Sequence, residues 1–111
     1  MAHHLIKYNT MKKKIFLDYL DAVCSVYGIA KEDVLSNNKK KEFTEARQCL
    51  YYLCRMRPMR ITDIQKYIGE VSEYVPNHVP IIRGVNRIKQ LLEEDRDVAV
   101  ILDRIKNKVF I

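Results

Sequence analysis

Asn77-His78-Val79-Pro80-Ile81-Ile82-Arg83-Gly84-Val85-Asn86-Arg87-Ile88-Lys89-Gln90-Leu91-Leu92-Glu93-Glu94-Asp95 is the stretch that decides how the chain is read. Asn77 is a residue type suited to cap a helix, and Pro80 falls in the expected first turn, where a missing N–H is tolerated. An apolar seam then runs through Ile81, Val85, Ile88 and Leu92 at spacings of four, three and four, the repeat of a helix with one buried stripe. Arg83 and Arg87, four apart, share a different face of that helix. A helix that buries one stripe and offers Asn, His and Arg near its start has the form of a DNA recognition helix. Ordinary proteins contain such helices too, so the flanking segments carry the decision.

Upstream, Thr62 can cap a short helix, with Gln65 three residues later as the reciprocal half of a capping box. Ile61, Ile64 and Ile68 form its buried side, and Gly69 is expected to close it. The connector 70–76 contains Val71, Tyr74 and Val75 and is apolar enough to pack over the core. Short helix, connector and long helix together predict a helix-turn-helix over about 61–95. Further out, Phe43, Ala46, Leu50, Leu53 and Cys54 face inward from a helix over 42–57 that Pro58 stops. The run Ser36-Asn37-Asn38-Lys39-Lys40-Lys41 has no apolar residue and reads as a solvated basic loop. A short helical piece over 30–35 is acidic in its first turn at Glu32 and Asp33. Ile15, Phe16, Tyr19, Leu20, Val23, Cys24 and Tyr27 recur at threes and fours, predicting a helix over 13–27 that Gly28 ends. Residues 1–11 are expected to be a flexible segment. Downstream, Val98, Ile101, Leu102 and Ile105 mark a last helix over 97–109. The expected fold is all-α, one compact domain over 1–111 with about five to six helices.

Twenty Lys plus Arg against fourteen Asp plus Glu give a net charge of +6, which favours an anionic partner, most often nucleic acid. The three cysteines, Cys24, Cys49 and Cys54, are odd in number, lie inside helical patterns and form no C-x-x-C pair. They point to reduced core residues in a cytosol, with neither a zinc site nor a disulfide framework. No metal and no cofactor are expected. No run is long and apolar enough for a membrane span, and no signal peptide is evident. An enzyme is not expected either, and so no small-molecule substrate. The chain lacks a phosphate-cradling glycine loop, a Ser or Cys beside a histidine in a recognisable motif, and an evident pair of carboxylates. Tyr51, Tyr52 and Tyr67 sit at helical spacings and read as packing residues.

Four blocks, read in order, narrow the reading. They are Tyr27-Gly28-Ile29-Ala30-Lys31-Glu32-Asp33-Val34-Leu35-Ser36 with the basic loop after it, Ala46-Arg47-Gln48, Ile61-Thr62-Asp63-Ile64, and Asn77-His78 leading to Arg87-Ile88 and Leu91-Leu92-Glu93-Glu94-Asp95. On these blocks the chain, from about 16 to 105, resembles the C-terminal DNA-binding domain of the bacterial replication initiator DnaA. The resemblance implies a Trp-repressor-like helix-turn-helix fold, double-stranded DNA as partner and a cytoplasmic, nucleoid-associated location. It also implies a role in replication initiation or its regulation, with repression or a phage function as other settings. As a stand-alone domain the chain would be the reader without the initiator's nucleotide-hydrolysing part.

The resemblance further implies roles for residues. Lys39, Lys40 and Lys41 stand where the family's basic loop reaches the minor groove and the phosphates, though as point charges without arginine's flat fork. Arg47 would suit a bidentate contact with guanine, and Gln48 a phosphate or an adenine edge. Arg55 matches a basic backbone-contacting position, and Arg57 and Arg60 lie at the same end. Ile61 and Thr62 begin the first helix of the motif, whose N–H groups can hold a phosphate. Asn77 would cap the second helix or read adenine, His78 would meet a base, and Arg83 and Arg87 would reach flanking phosphates or a base edge. Each has a blander reading as a solvated charge, a packed side chain or a cap.

Where the family's recognition helix opens Asp-His-Thr-Thr, this chain has Asn77-His78-Val79-Pro80. Val79 can touch a thymine methyl but cannot hydrogen-bond. The competing reading is a protein-interaction module, an accessory or antagonist of the initiator whose partners are replication proteins. Val71 to Val75 and the end Val109-Phe110-Ile111 would then form an apolar patch.

Overall fold

Helix follows helix throughout the computed structural model, which describes residues 2–109 and the side chains of 11–109. The order is α1 (Ala2–Tyr27), α2 (Lys31–Val34), α3 (Lys41–Met56), α4 (Ile61–Val71), α5 (His78–Glu94) and α6 (Arg96–Asn107), with no strand among the described residues. The all-α expectation holds. Helix α1 starts well before the apolar repeat that predicts it and takes in the stretch expected to be flexible. No glycine or proline precedes Gly28, so nothing in the sequence breaks the helix earlier. It stops at Gly28, which turns left-handed at φ 65°, while the Ile29 N–H bonds back to the Cys24 carbonyl at 3.1 Å.

Two end signals differ from the sequence reading. Helix α4 begins one residue before Thr62, with Arg60 in the capping position. The Asp63 carboxylate, not the Thr62 hydroxyl, meets the helix start by accepting the Arg60 backbone N–H at 3.1 Å. An ionised acceptor at the positive end of a helix outcompetes a neutral one. Gln65 takes no part in a capping box; its Nε2 donates to the Pro76 carbonyl at 3.0 Å and ties the connector to α4. Gly69 does not close the helix, which continues to Val71. At α5, Asn77 occupies the capping position but its side chain makes no capping bond.

The core gathers on α3, the central helix, through Leu50, Leu53 and Cys54, with Phe16 and Leu20 from α1, Ile64 and Ile68 from α4, and Ile81 and Ile88 from α5. Each large side chain buried this way contributes on the order of 1.5–3 kcal/mol before ordering costs. Phe16 and Tyr67 meet at 5.8 Å between ring centroids, locking α1 to α4. Beside them, Lys12 Nζ lies 3.2 Å from Asp63 Oδ2, with both side chains 11% exposed. Burial alone would raise the Asp63 pKa. The hydrogen bonds from Lys12 and Arg60, with the lysine's charge, outweigh it and hold the carboxyl below the ordinary range.

Cys49 and Cys54 are buried, Cys24 is half-buried, and all are free thiols. Burial pushes Cys49 up to about 11 against the lowering effect of the Tyr27 hydroxyl, so it stays protonated at neutral pH. Burial likewise raises Cys54. Among the described residues no three His, Cys, Asp or Glu side chains come together, and no helix is long and apolar enough to cross a membrane.

The connector buries less than expected. Pro76 is buried and the Ser72 hydroxyl donates to the Leu35 carbonyl at 3.3 Å. Val71, Tyr74 and Val75 nevertheless remain about 40% exposed. Of the C-terminal patch, Val109 is half-buried, while Phe110 and Ile111 lie outside the described residues.

Candidate nucleic-acid interface

Helix α5 can lie close on α3 because Gly84 sits at the crossing. A Cβ there would be 3.1 Å from Gln48 Cγ and 3.1 Å from Tyr51 Cδ2, tighter than most side-chain contacts, so one of those neighbours would have to give. With Ile81, Gly84, Val85 and Ile88 turned inward, the helix presents an outward ridge. Asn77, His78, Val79 and Pro80 are exposed at its start, and Ile82 and Asn86 continue it. Val79 and Ile82 are 43% and 41% exposed, high for apolar residues in the first two turns of a helix otherwise well packed.

Basic side chains border this ridge on both flanks. On one side Lys39, Gln48 and Thr44 share a groove with Pro80 and Arg83, and the groove continues past Lys41 to Arg87 and Asp95. On the other, Arg55 and Met56 at the end of α3 and Ile61 at the start of α4 face Ile82, Asn86 and Lys89. Arg87 is held partly on the surface, donating from Nη1 to Gln90 Oε1 at 3.2 Å. Arg55 Nη1 donates to the Met59 carbonyl at 2.7 Å and so closes the turn after α3 while its stem lines the groove. Thr62 is exposed in the first turn of α4, and Ile61 is half-buried there.

The three loop lysines are all exposed but not equivalent. Lys40 folds back, its Nζ 3.7 Å from Glu42 Oε1 and 5.1 Å from the centre of the Phe43 ring. Lys39 and Lys41 face the grooves beside α5.

Arg47 departs most from expectation. It is 9% exposed. Its Nε donates to the Val34 carbonyl at 2.7 Å, and its Nη2 donates to the carbonyls of Asp33 at 3.3 Å and Asn38 at 3.1 Å. The sequence reading treats it as a free fork for guanine; instead the fork is bonded within the protein. Gly84 and Thr44 were not singled out from the sequence. A glycine inside an otherwise unbroken apolar repeat is the signal for the first, and for the second a position one turn before Gln48 on the same face of α3.

The family described as Bacterial dnaA protein helix-turn-helix matches residues 18–88, more than half of the chain. The chain belongs to this DnaA helix-turn-helix family. Among curated relatives, the chromosomal replication initiator protein DnaA of Jannaschia sp. is 30% identical over 89 residues, which cover 78% of this chain and 18% of that protein. The DnaA of Campylobacter jejuni subsp. doylei is 27% identical over 95 residues, 85% of this chain and 20% of the relative. That of Bartonella quintana is 25% identical over 107 residues, 96% of this chain and 21% of the relative. The chain thus spans about a fifth of the length of the DnaA proteins it matches. No solved structure matches it. The DnaA match includes the basic loop, α3, α4 and the first part of α5, the elements that border the exposed ridge.

Proposed function

We propose that this DnaA-family domain binds double-stranded DNA, with the ridge of α5 in the major groove and the basic loop on the adjoining backbone, and acts in replication initiation or its regulation. One observation carries the reading: an exposed ridge of Asn, His and apolar side chains bordered by cations on both flanks. A helix in a major groove meets base edges along its crest and a phosphate backbone on either side. Lys39, Lys41, Arg83 and Arg87 serve one backbone and Arg55 and Lys89 the other. Beside that flank, which Ile61 lines, the exposed Thr62 hydroxyl in the first turn of α4 offers a further contact to a phosphate. Gln48, Asn77 and His78 supply polar contacts, and Val79 meets a thymine methyl. Lys40, already engaged by Glu42 and Phe43, contributes less.

The test is binding to a random duplex pool followed by sequencing of what is retained, with affinity measured across salt. An enriched site is expected, with Lys39→Ala and Lys41→Ala each flattening the log–log salt slope by about 0.9 and Lys40→Ala by less. No enrichment, together with affinity indifferent to salt, would overturn the reading. A second reading, a docking module for a replication protein, draws on the exposure of Val71, Tyr74 and Val75. Contact of that kind is apolar and would persist as salt rises.

A further inference from the structure

We infer that Arg47 is a positioning residue, which holds the basic loop in the shape that sets Lys39 and Lys41 beside α5 and does not itself read a base. The inference rests on the DNA-binding reading above but has an observable of its own. The loop 36–40 has no apolar side chain, so no hydrophobic contact can anchor it, and only polar bonds can order it. Those bonds form a continuous chain. Arg47 lines the groove beside α5 with Lys39 and Gln48 but is largely covered, and it holds the Asp33 and Val34 carbonyls at the end of α2 and the Asn38 carbonyl in the loop. The Ser36 hydroxyl donates to the same Asp33 carbonyl at 2.7 Å and accepts the Asn38 N–H at 3.2 Å. Asn38 Oδ1 then accepts the Lys40 N–H at 2.9 Å.

The chemistry sets this role against base reading. The last carbonyls of a helix have no partner within it, and α2 has only four residues. A guanidinium offers donors in a fixed plane that can meet several carbonyls at once. Guanine would need two parallel donors from one edge of that plane. Both such edges include Nη2, which already serves Asp33 and Asn38. Turning Arg47 to a base would strip partly buried carbonyls of their donor, an expensive exchange.

The experiment compares the parent with Arg47→Lys, which keeps the charge but loses the planar fork, and with the double variant Ser36→Ala/Asn38→Ala, which leaves α3 untouched. Two measurements are made: amide hydrogen exchange at 38–41, and affinity for the selected and a scrambled duplex across salt. Both variants should exchange faster in the loop and lose affinity for both duplexes by the same factor. Their salt slopes should fall by about 0.9 to 1.8, the value for one or two lysine contacts released. In a Lys39→Ala/Lys41→Ala background, Arg47→Lys should then cost no further affinity, a coupling that mere loss of stability would not produce. Unchanged loop exchange with a loss confined to the selected duplex would overturn the inference in favour of base reading. A parent that binds no duplex would end the DNA reading instead, and the exchange measurement would still decide whether Arg47 orders the loop.

Discussion

Helix α4 starts against a buried carboxylate, with Asp63 holding the Arg60 N–H and the Lys12 ammonium, whereas α5 starts with Asn77, His78 and Val79 in solvent and no bond from the Asn77 side chain. The positive end of α4 is neutralised inside the protein. That of α5 has no acidic residue in its first turn, so its partial charge points outward, where a phosphate is the natural counterpart. The contrast separates two jobs within one motif. Helix α4 is a strut, braced on α1 and carrying the connector through Gln65. Helix α5 is buried along one side and open at its start, and it carries the features a ligand would meet.

The largest effect expected comes from breaking the braced end. Asp63→Ala breaks the buried pair with Lys12 and removes the acceptor of the Arg60 N–H, and should cost about 3 kcal/mol of stability by thermal or denaturant unfolding. Relative affinity for different duplexes should stay as in the parent for whatever fraction remains folded. The pH dependence follows from the depressed Asp63 pKa. The carboxylate's contribution is fully present above the unfolded-state value of about 3.9 and is lost as pH falls through the lower folded value. The stability gap between parent and Asp63→Asn should therefore be constant near neutrality and shrink below about pH 4. A gap that widens on acidification would mean that Asp63 is not the favourably ionised partner described.

A middle-sized effect should link the two regions. Gly84→Leu puts a side chain where Gln48 and Tyr51 already stand and should cost about 1–3 kcal/mol through overpacking. Because α5 must then move off α3, the variant should also lose discrimination between selected and scrambled duplexes, unlike Asp63→Ala. Unchanged discrimination would show that the seating of α5 on α3 does not set the reading geometry.

The two ends were not equally legible in the sequence. The buried faces of α3, α4 and α5 follow from apolar spacing alone, since Leu50, Ile64, Ile68, Ile81 and Ile88 are all core residues. Periodicity reports burial, and burial is what holds a helix in place. The start of α4 was misread because Thr62 and Gln65 have the right letters for a capping box. The bond that closes the start comes instead from Asp63, three residues after Arg60, and Lys12, fifty-one residues away, braces that carboxylate from α1. The bonds of Arg47 were not legible either: its partners are the carbonyls of Asp33, Val34 and Asn38 outside α3, invisible in side-chain spacing. Val71, Tyr74 and Val75 were expected to pack because they are apolar, yet Val71 ends α4 on an exposed side and the other two stay partly in solvent. The exposed start of α5, by contrast, was readable, because Asn77-His78 precedes the apolar seam and does not interrupt it.

The smallest expected effect is the sharpest test of the open end. If Asn77 capped α5, Asn77→Ala would cost about 1 kcal/mol. Its side chain makes no capping bond and is exposed, so the substitution should change stability by less than about 0.5 kcal/mol, the range for surface positions. The same change should relax base preference at one position of the selected site, because an amide that neither packs nor caps is free to pair with a base edge. His78→Ala is the companion measurement, with the same expected near-constancy of stability and a loosened preference at a neighbouring base pair. A stability loss near 1 kcal/mol with base preference intact would mean that Asn77 caps α5 in solution. The two helix starts would then differ only in which side chain closes them, and the case for an open, reading end would pass to His78 alone.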